Sequence, residues 1–160
     1  LQNVEFVAVN TDAKDLLRSD ADVKISLSDK SSRGLGAGAD PERGAKAAQD
    51  HQSDIEEALR GADMVFVTCG ADGCYFKNSR AAGREPALPG LRIADTTGAG
   101  DIFGGCAVWR LLQSGKAPAA LDEAELRGIA EFACRVAGRS TEKSGGISAI
   151  TEMPDEVFMG

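Results

Sequence analysis

Met64-Val65-Phe66-Val67-Thr68 is an uncharged, almost wholly apolar run of strand length. Such a run has no polar face to offer water, so it predicts a strand buried on both sides, as at the centre of an α/β sheet. The flanking sequence supplies elements to cover it. Val4–Val9 alternates and is rich in branched residues, which predicts another strand. It ends in Asn10-Thr11-Asp12, whose side chains can cap a short helical stretch over 13–18. Val23–Leu27 alternates again and predicts a shorter strand. Asp40-Pro41 pairs an N-cap residue with proline at the first helical position. The helix it opens should run to about Arg60, with Ala45, Ala48, Ile55 and Leu59 inward and Gly61 as its stop.

Beyond Gly70 the texture changes. Gly73–Asn78 and Arg84–Leu88 predict two short strands of a hairpin, the second confined to an edge by Pro86 and Pro89. Leu91–Ala94 leads into Asp95-Thr96-Thr97-Gly98-Ala99-Gly100-Asp101, where a helix starts that should reach about Gln113 and close at Gly115. Its apolar residues go nearly all round, which predicts deep burial. Asp122 and Glu125 form a capping-box pattern for a last helix with Leu126, Ile129, Ala130, Ala133 and Ala137 inward. Gly145–Ile150 predicts a tight turn and a final short strand. This order implies one composite domain over 1–160, a three-layer α/β/α fold. Its sheet should be mostly parallel and Rossmann-like, with a short β-hairpin after residue 70.

A net charge of −7 disfavours nucleic acid and anionic membranes as partners, since both require basic patches. No apolar run is long enough to span a membrane. Cys69, Cys74, Cys106 and Cys134 show no metal-ligand spacing, and the one histidine, His51, stands apart from them. The expected metal set is therefore none. The cysteines read as small core residues kept reduced, which places the chain in the cytoplasm.

Gly98-Ala99-Gly100-Asp101 at a helix start is the sharpest chemical feature. Two glycines let successive N–H groups converge, and the helix dipole adds positive potential at that point. A phosphoryl group gaining charge in transfer needs such a site, and Asp101 could take the proton of an acceptor hydroxyl. The spacing alone also suits an ordinary glycine-rich helix start with Asp101 stabilising the dipole.

The whole stretch Asp95–Gly105 resembles the C-terminal signature of the PfkB family of sugar and nucleoside kinases. Thr68-x-Gly70-x-x-Gly73-Cys74-Tyr75-Phe76 before it, and Ala133–Thr141 with Gly145-Gly146-Ile147 after it, resemble fructokinase- or ribokinase-like members. The likeness covers about residues 64–152. It implies an anion hole at Gly98, Ala99 and Gly100, Asp101 as catalytic base, and ATP with Mg as co-substrate. Thr68, Gly70 and Gly73 would lie against the ATP phosphates and ribose. Gly145 and Gly146 would flank the adenine or a monovalent-cation loop.

Arg33–Ala39 is a second glycine-rich loop before a helix, and by itself it reads as a helix cap. Together with Val4–Ala13, Ser19–Lys24 and Gly61–Thr68, however, it resembles FtsZ, the bacterial tubulin homologue, over about residues 1–70. That likeness implies a residual GTP loop set at Asn10, Gly36, Ala37 and Gly38. The family's first strand with its glycine-rich loop and its long phosphate signature have no counterpart here, and the pattern ends at Ala71. GTP hydrolysis and filament formation are not expected.

The chain thus reads as an engineered or recombined chimera, a de novo protein of an FtsZ-like half (1–70) and a PfkB-like half (71–160). Efficient parental activity is not expected. In the PfkB family the sugar pocket and lid come mostly from the half that is replaced. A base without a positioned acceptor forfeits a proximity effect of about 7–11 kcal/mol. Two readings follow: weak nucleotide or phosphate binding at Gly98–Asp101, or a residual ATP-dependent phosphotransferase using Asp101. Val4–Val9 should pair directly with Met64–Thr68, giving a monomer; the alternative is a strand-exchanged homodimer.

Overall fold

A computed structural model describes the backbone of residues 5–9 and, in full, residues 62–159. The expected strand at Val23–Leu27 and helix from Asp40 lie outside the described residues. Four strands form one sheet in the order β1-β2-β3-β4: β1 (Glu5–Val9), β2 (Met64–Thr68), β3 (Cys74–Asn78) and β4 (Ala82–Glu85). Every neighbouring pair is antiparallel, with Val7 opposite Phe66, Phe66 opposite Phe76 and Phe76 opposite Gly83.

This corrects the expected mostly parallel, three-layer Rossmann-like sheet. The connections β2–β3 (69–73) and β3–β4 (79–81) are too short for the crossover that parallel strands need, so these pairs turn back on themselves. The direct pairing of β1 with β2 within one chain is present, but it too runs antiparallel.

Two long helices cover one face of the sheet: α1 (Ala99–Ser114) and α2 (Glu123–Ser140). Both begin and end where the local chemistry dictates. Gly115 closes α1 in the left-handed region (φ 63°), its N–H donating to the Leu112 carbonyl at 3.2 Å. At the start of α2 the Glu125 N–H donates to Asp122 Oδ1 at 2.9 Å and the Asp122 N–H donates to Glu125 Oε2 at 3.1 Å. All five expected inward residues of α2 are buried.

Period-two alternation sends Met64 and Phe66 of β2 toward the helices. There they join Phe76, Phe103, Leu111, Leu126 and Val136 in one core. The Phe103 ring meets Phe66 edge-on, with centroids 5.7 Å apart. Val65 and Val67, on the opposite side of β2, are also fully buried, as a central strand requires. Arg127 ties α2 to β4: its guanidinium donates to the Arg84 carbonyl at 2.6 Å and pairs with Glu123 at 2.8 Å.

Two further expectations are corrected. Helix α1 is not buried all round: its inner side carries Ile102, Phe103, Ala107 and Leu111, whereas Trp109 is 44% exposed. Gly145–Ile150 does not form a final strand but leads into a short helix, α3 (Gly146–Thr151). So short a segment, with Ile147, Ala149 and Ile150 as its apolar residues, suits either state, and here only Ala149 is buried.

Candidate active site

The chain from Leu91 passes beside the end of α2, where the Ala94 and Asp95 N–H groups both donate to the Thr141 carbonyl, at 2.7 and 3.1 Å. It then turns through Thr96 and Thr97 into α1. Gly98 makes this turn in the left-handed region (φ 78°), a conformation that strains any residue with a Cβ. The first helical bond of α1 runs from the Ile102 N–H to the Gly98 carbonyl at 3.0 Å, and the Ala99 N–H bonds back to Thr96 at 3.2 Å. The Gly100 and Asp101 N–H groups have no acceptor among the described residues. They stand at the positive end of a sixteen-residue helix, where an anion is favoured. Asp101 follows on the exposed first turn.

The turn before α3 comes up against this one. A Cβ on Gly146 would lie 3.3 Å from the Thr97 carbonyl and 3.7 Å from the Gly98 Cα, so the two glycine turns are in backbone contact. Asp95 joins them: Oδ1 accepts the Thr97 N–H at 2.9 Å and Oδ2 accepts the Gly145 N–H at 3.2 Å. Hydrogen bonds from Thr97, and then from Gly145, hold the Asp95 carboxyl below the usual carboxylate range. Asp95 was not singled out as a site residue from sequence. Its signal was present, because an aspartate two residues before a free backbone N–H commonly makes an Asx turn.

Gly98, Ala99, Gly100, Asp101, Gly145 and Gly146 are thus brought together. Thr68 ends β2, and Gly70 and Gly73 belong to the turn between β2 and β3, which closes on itself: the Cys69 N–H donates to the Gly73 carbonyl at 2.7 Å and the Gly73 N–H to the Gly70 carbonyl at 3.1 Å. Gly70 is exposed, whereas Gly73 is buried against β4, where a Cβ would fall 2.0 Å from the Glu85 carbonyl oxygen. Asn10, Gly36, Ala37 and Gly38 lie outside the described residues.

Thiol nucleophiles are disfavoured. Burial pushes Cys69 and Cys106 up to about 11, and a hydrogen bond with Cys134 together with burial raises Cys74. All four cysteines are free. Among the described residues no group of three or more His, Cys, Asp or Glu could hold a metal ion, and no helix is long and apolar enough to cross a membrane.

Comparison with known proteins divides the chain in two. Residues 40–153 match the pfkB family carbohydrate kinase profile, and residues 1–74 match that of the Tubulin/FtsZ family GTPase domain. Residues 40–74 satisfy both, so the parts meet in an overlap rather than at one point. Two established families account for the sequence, which corrects the expectation of a de novo protein.

Among solved structures, the chain is similar to an aminoimidazole riboside kinase from Salmonella enterica, crystallised with aminoimidazole riboside and an ATP analogue. The match is 26% identical, with a TM-score of 0.56, over 69% of this chain and 34% of the kinase. A fructokinase from Xylella fastidiosa with bound ATP shares the fold at 24% identity and a TM-score of 0.58, over 73% of this chain and 39% of that enzyme. A ribokinase from Giardia lamblia does so at 24% and 0.54, over 64% and 33%. The chain therefore spans little more than a third of the length of the kinases it matches.

Proposed function

This chain belongs to the pfkB family of carbohydrate kinases, and we propose on that premise that it carries a phosphotransferase site of their kind at the Gly98–Asp101 turn. Contact between the two glycine turns, clamped by Asp95, carries the reading. An isolated glycine-rich helix start would need no second turn held against it.

The free Gly100 and Asp101 N–H groups suit a phosphoryl oxygen, and the left-handed Gly98 leaves their approach open. ATP, arriving with Mg on its phosphates, is the co-substrate. Asp101 takes the proton of the acceptor hydroxyl. Gly98, Ala99 and Gly100 hold the charge that gathers on the transferring group, and Gly145 and Gly146 border the nucleotide. The acceptor is a small polyol or, without one, water. Turnover is slow, because FtsZ-like sequence stands where the family's acceptor pocket is expected, and alignment is a large part of the rate.

The test is ADP release from Mg-ATP with ribose, with fructose and with no sugar, for the wild type and Asp101→Asn. Slow release that the substitution lowers by about 10²-fold or more is expected. Release unchanged by Asp101→Asn would refute the base, and calorimetry showing no ATP or phosphate binding would refute the site.

A further inference from the structure

On the side of α1 and α2 away from this turn lies a groove of about 390 Å³ that the phosphotransferase reading does not use. Its lining is mostly apolar, with Leu121, Ile129 and Phe132, and it carries Arg110 from α1 and Arg135 from α2. Both guanidinium groups lie against one ring: their central carbons are 4.3 and 5.5 Å from the centre of Phe132. Among the described residues donors of both stay unmet: Arg110 Nε and Arg135 Nη2 are buried without a hydrogen-bond acceptor there, although Arg135 Nε reaches the Val157 carbonyl at 3.3 Å.

A guanidinium cannot lose its proton to escape that cost, and two such groups beside one ring repel each other. The acidic residues of the groove do not relieve them in this arrangement. Glu125 is engaged by Lys116 and by the Asp122 N–H, and Glu131 lies close enough to Glu85 to help raise its carboxyl. What the site lacks is a carboxylate, and what its lining accepts is an apolar body.

We propose that the groove between α1 and α2 binds a small amphipathic carboxylate. The acid is held between the Arg110 and Arg135 forks, and the apolar part lies on Phe132, Leu121 and Ile129. Small turns of the two side chains bring their unmet donors onto the acid, where charge-assisted bonds replace the vacant ones.

Trp109 provides the measurement. It is the one tryptophan in the chain, it is partly exposed, and its ring centre is 5.3 Å from that of Phe132 and 5.4 Å from the Arg110 guanidinium. Its fluorescence is followed during titration of the full chain with 4-phenylbutyrate and, separately, with the neutral 4-phenylbutanol. A saturable change with the acid, about tenfold or more weaker with the alcohol, is expected. Arg110→Gln and Arg135→Gln should each weaken the acid alone, with far-UV circular dichroism confirming the fold. Equal response to acid and alcohol, or no response to either, overturns the proposal. Because that comparison uses the unaltered chain, it decides the matter even if an arginine variant fails to fold.

Discussion

The Asp95 carboxylate accepts the Gly145 backbone N–H at 3.2 Å across fifty residues of sequence, while its other oxygen accepts from Thr97 at 2.9 Å. One half-buried residue therefore sets the distance between the turn that opens α1 and the turn that opens α3.

The clamp should respond to acid with a definite sign. The folded-state pKa of Asp95 lies below its ordinary value, so its contribution is present above about pH 4 and is lost as the pH falls through the lower folded-state value. Urea midpoints of wild type and Asp95→Ala, measured from pH 7 downward, should differ at neutrality and converge in acid. A gap that stays constant with pH would show that the carboxylate charge plays no part.

Asn78 is buried with all its bonding capacity used. Its amide nitrogen donates to the Pro118 and Leu121 carbonyls at 3.0 and 2.9 Å, and its oxygen accepts from Arg80 and Ala81 at 2.9 and 2.8 Å. Asn78→Asp places an oxygen where two buried carbonyls need a donor. Each orphaned acceptor costs ~1–3 kcal/mol, so urea denaturation should show a loss of several kcal/mol. Asn78→Ser should fall between.

Gly70 and Gly73 both have positive φ, 56° and 88°, but only Gly73 has backbone in the way of a Cβ. Gly70→Ala should cost about 1 kcal/mol, the conformational penalty alone. Gly73→Ala must also push the Glu85 carbonyl of β4 away from the new Cβ, and it should lose far more stability and the amide-exchange protection of the β3–β4 hairpin. Similar losses for both would place the cost in φ and not in contact.

Asp122→Ala removes the acceptor at the start of α2 and should lower stability by about 1 kcal/mol. Thermal melts at pH 7 would show it. Glu125→Ala should cost less, since Lys116 and the Asp122 N–H are exposed and can turn to water.

Much of the described part was legible because its signals are local. Gly115 as a stop, Asp122 with Glu125 as a start, and the inward stripe of α2 each depend on residues within a turn or two of one another. The candidate site was legible in part. Gly98–Asp101 could be read as an anion-favouring helix start, but the Gly146 contact and the Asp95–Gly145 bond join segments far apart in the chain. Gly73 shows the opposite case: a glycine expected from sequence to face a nucleotide sits where the backbone approaches β4 closely, which no spacing reveals.

By itself the sequence determined that Met64–Thr68 would be a buried strand, where α1 would begin and end, where α2 would begin, and that two families contribute to one chain. Only the tertiary structure decided that the sheet runs antiparallel and that α1 leaves Trp109 exposed. It also decided that the segment after Gly145 coils into a helix. The reason is physical. A strand's period is the same whichever way its neighbour runs, and a short segment with a few apolar residues satisfies helix and strand alike, so pairing partners and available buried surface make the choice.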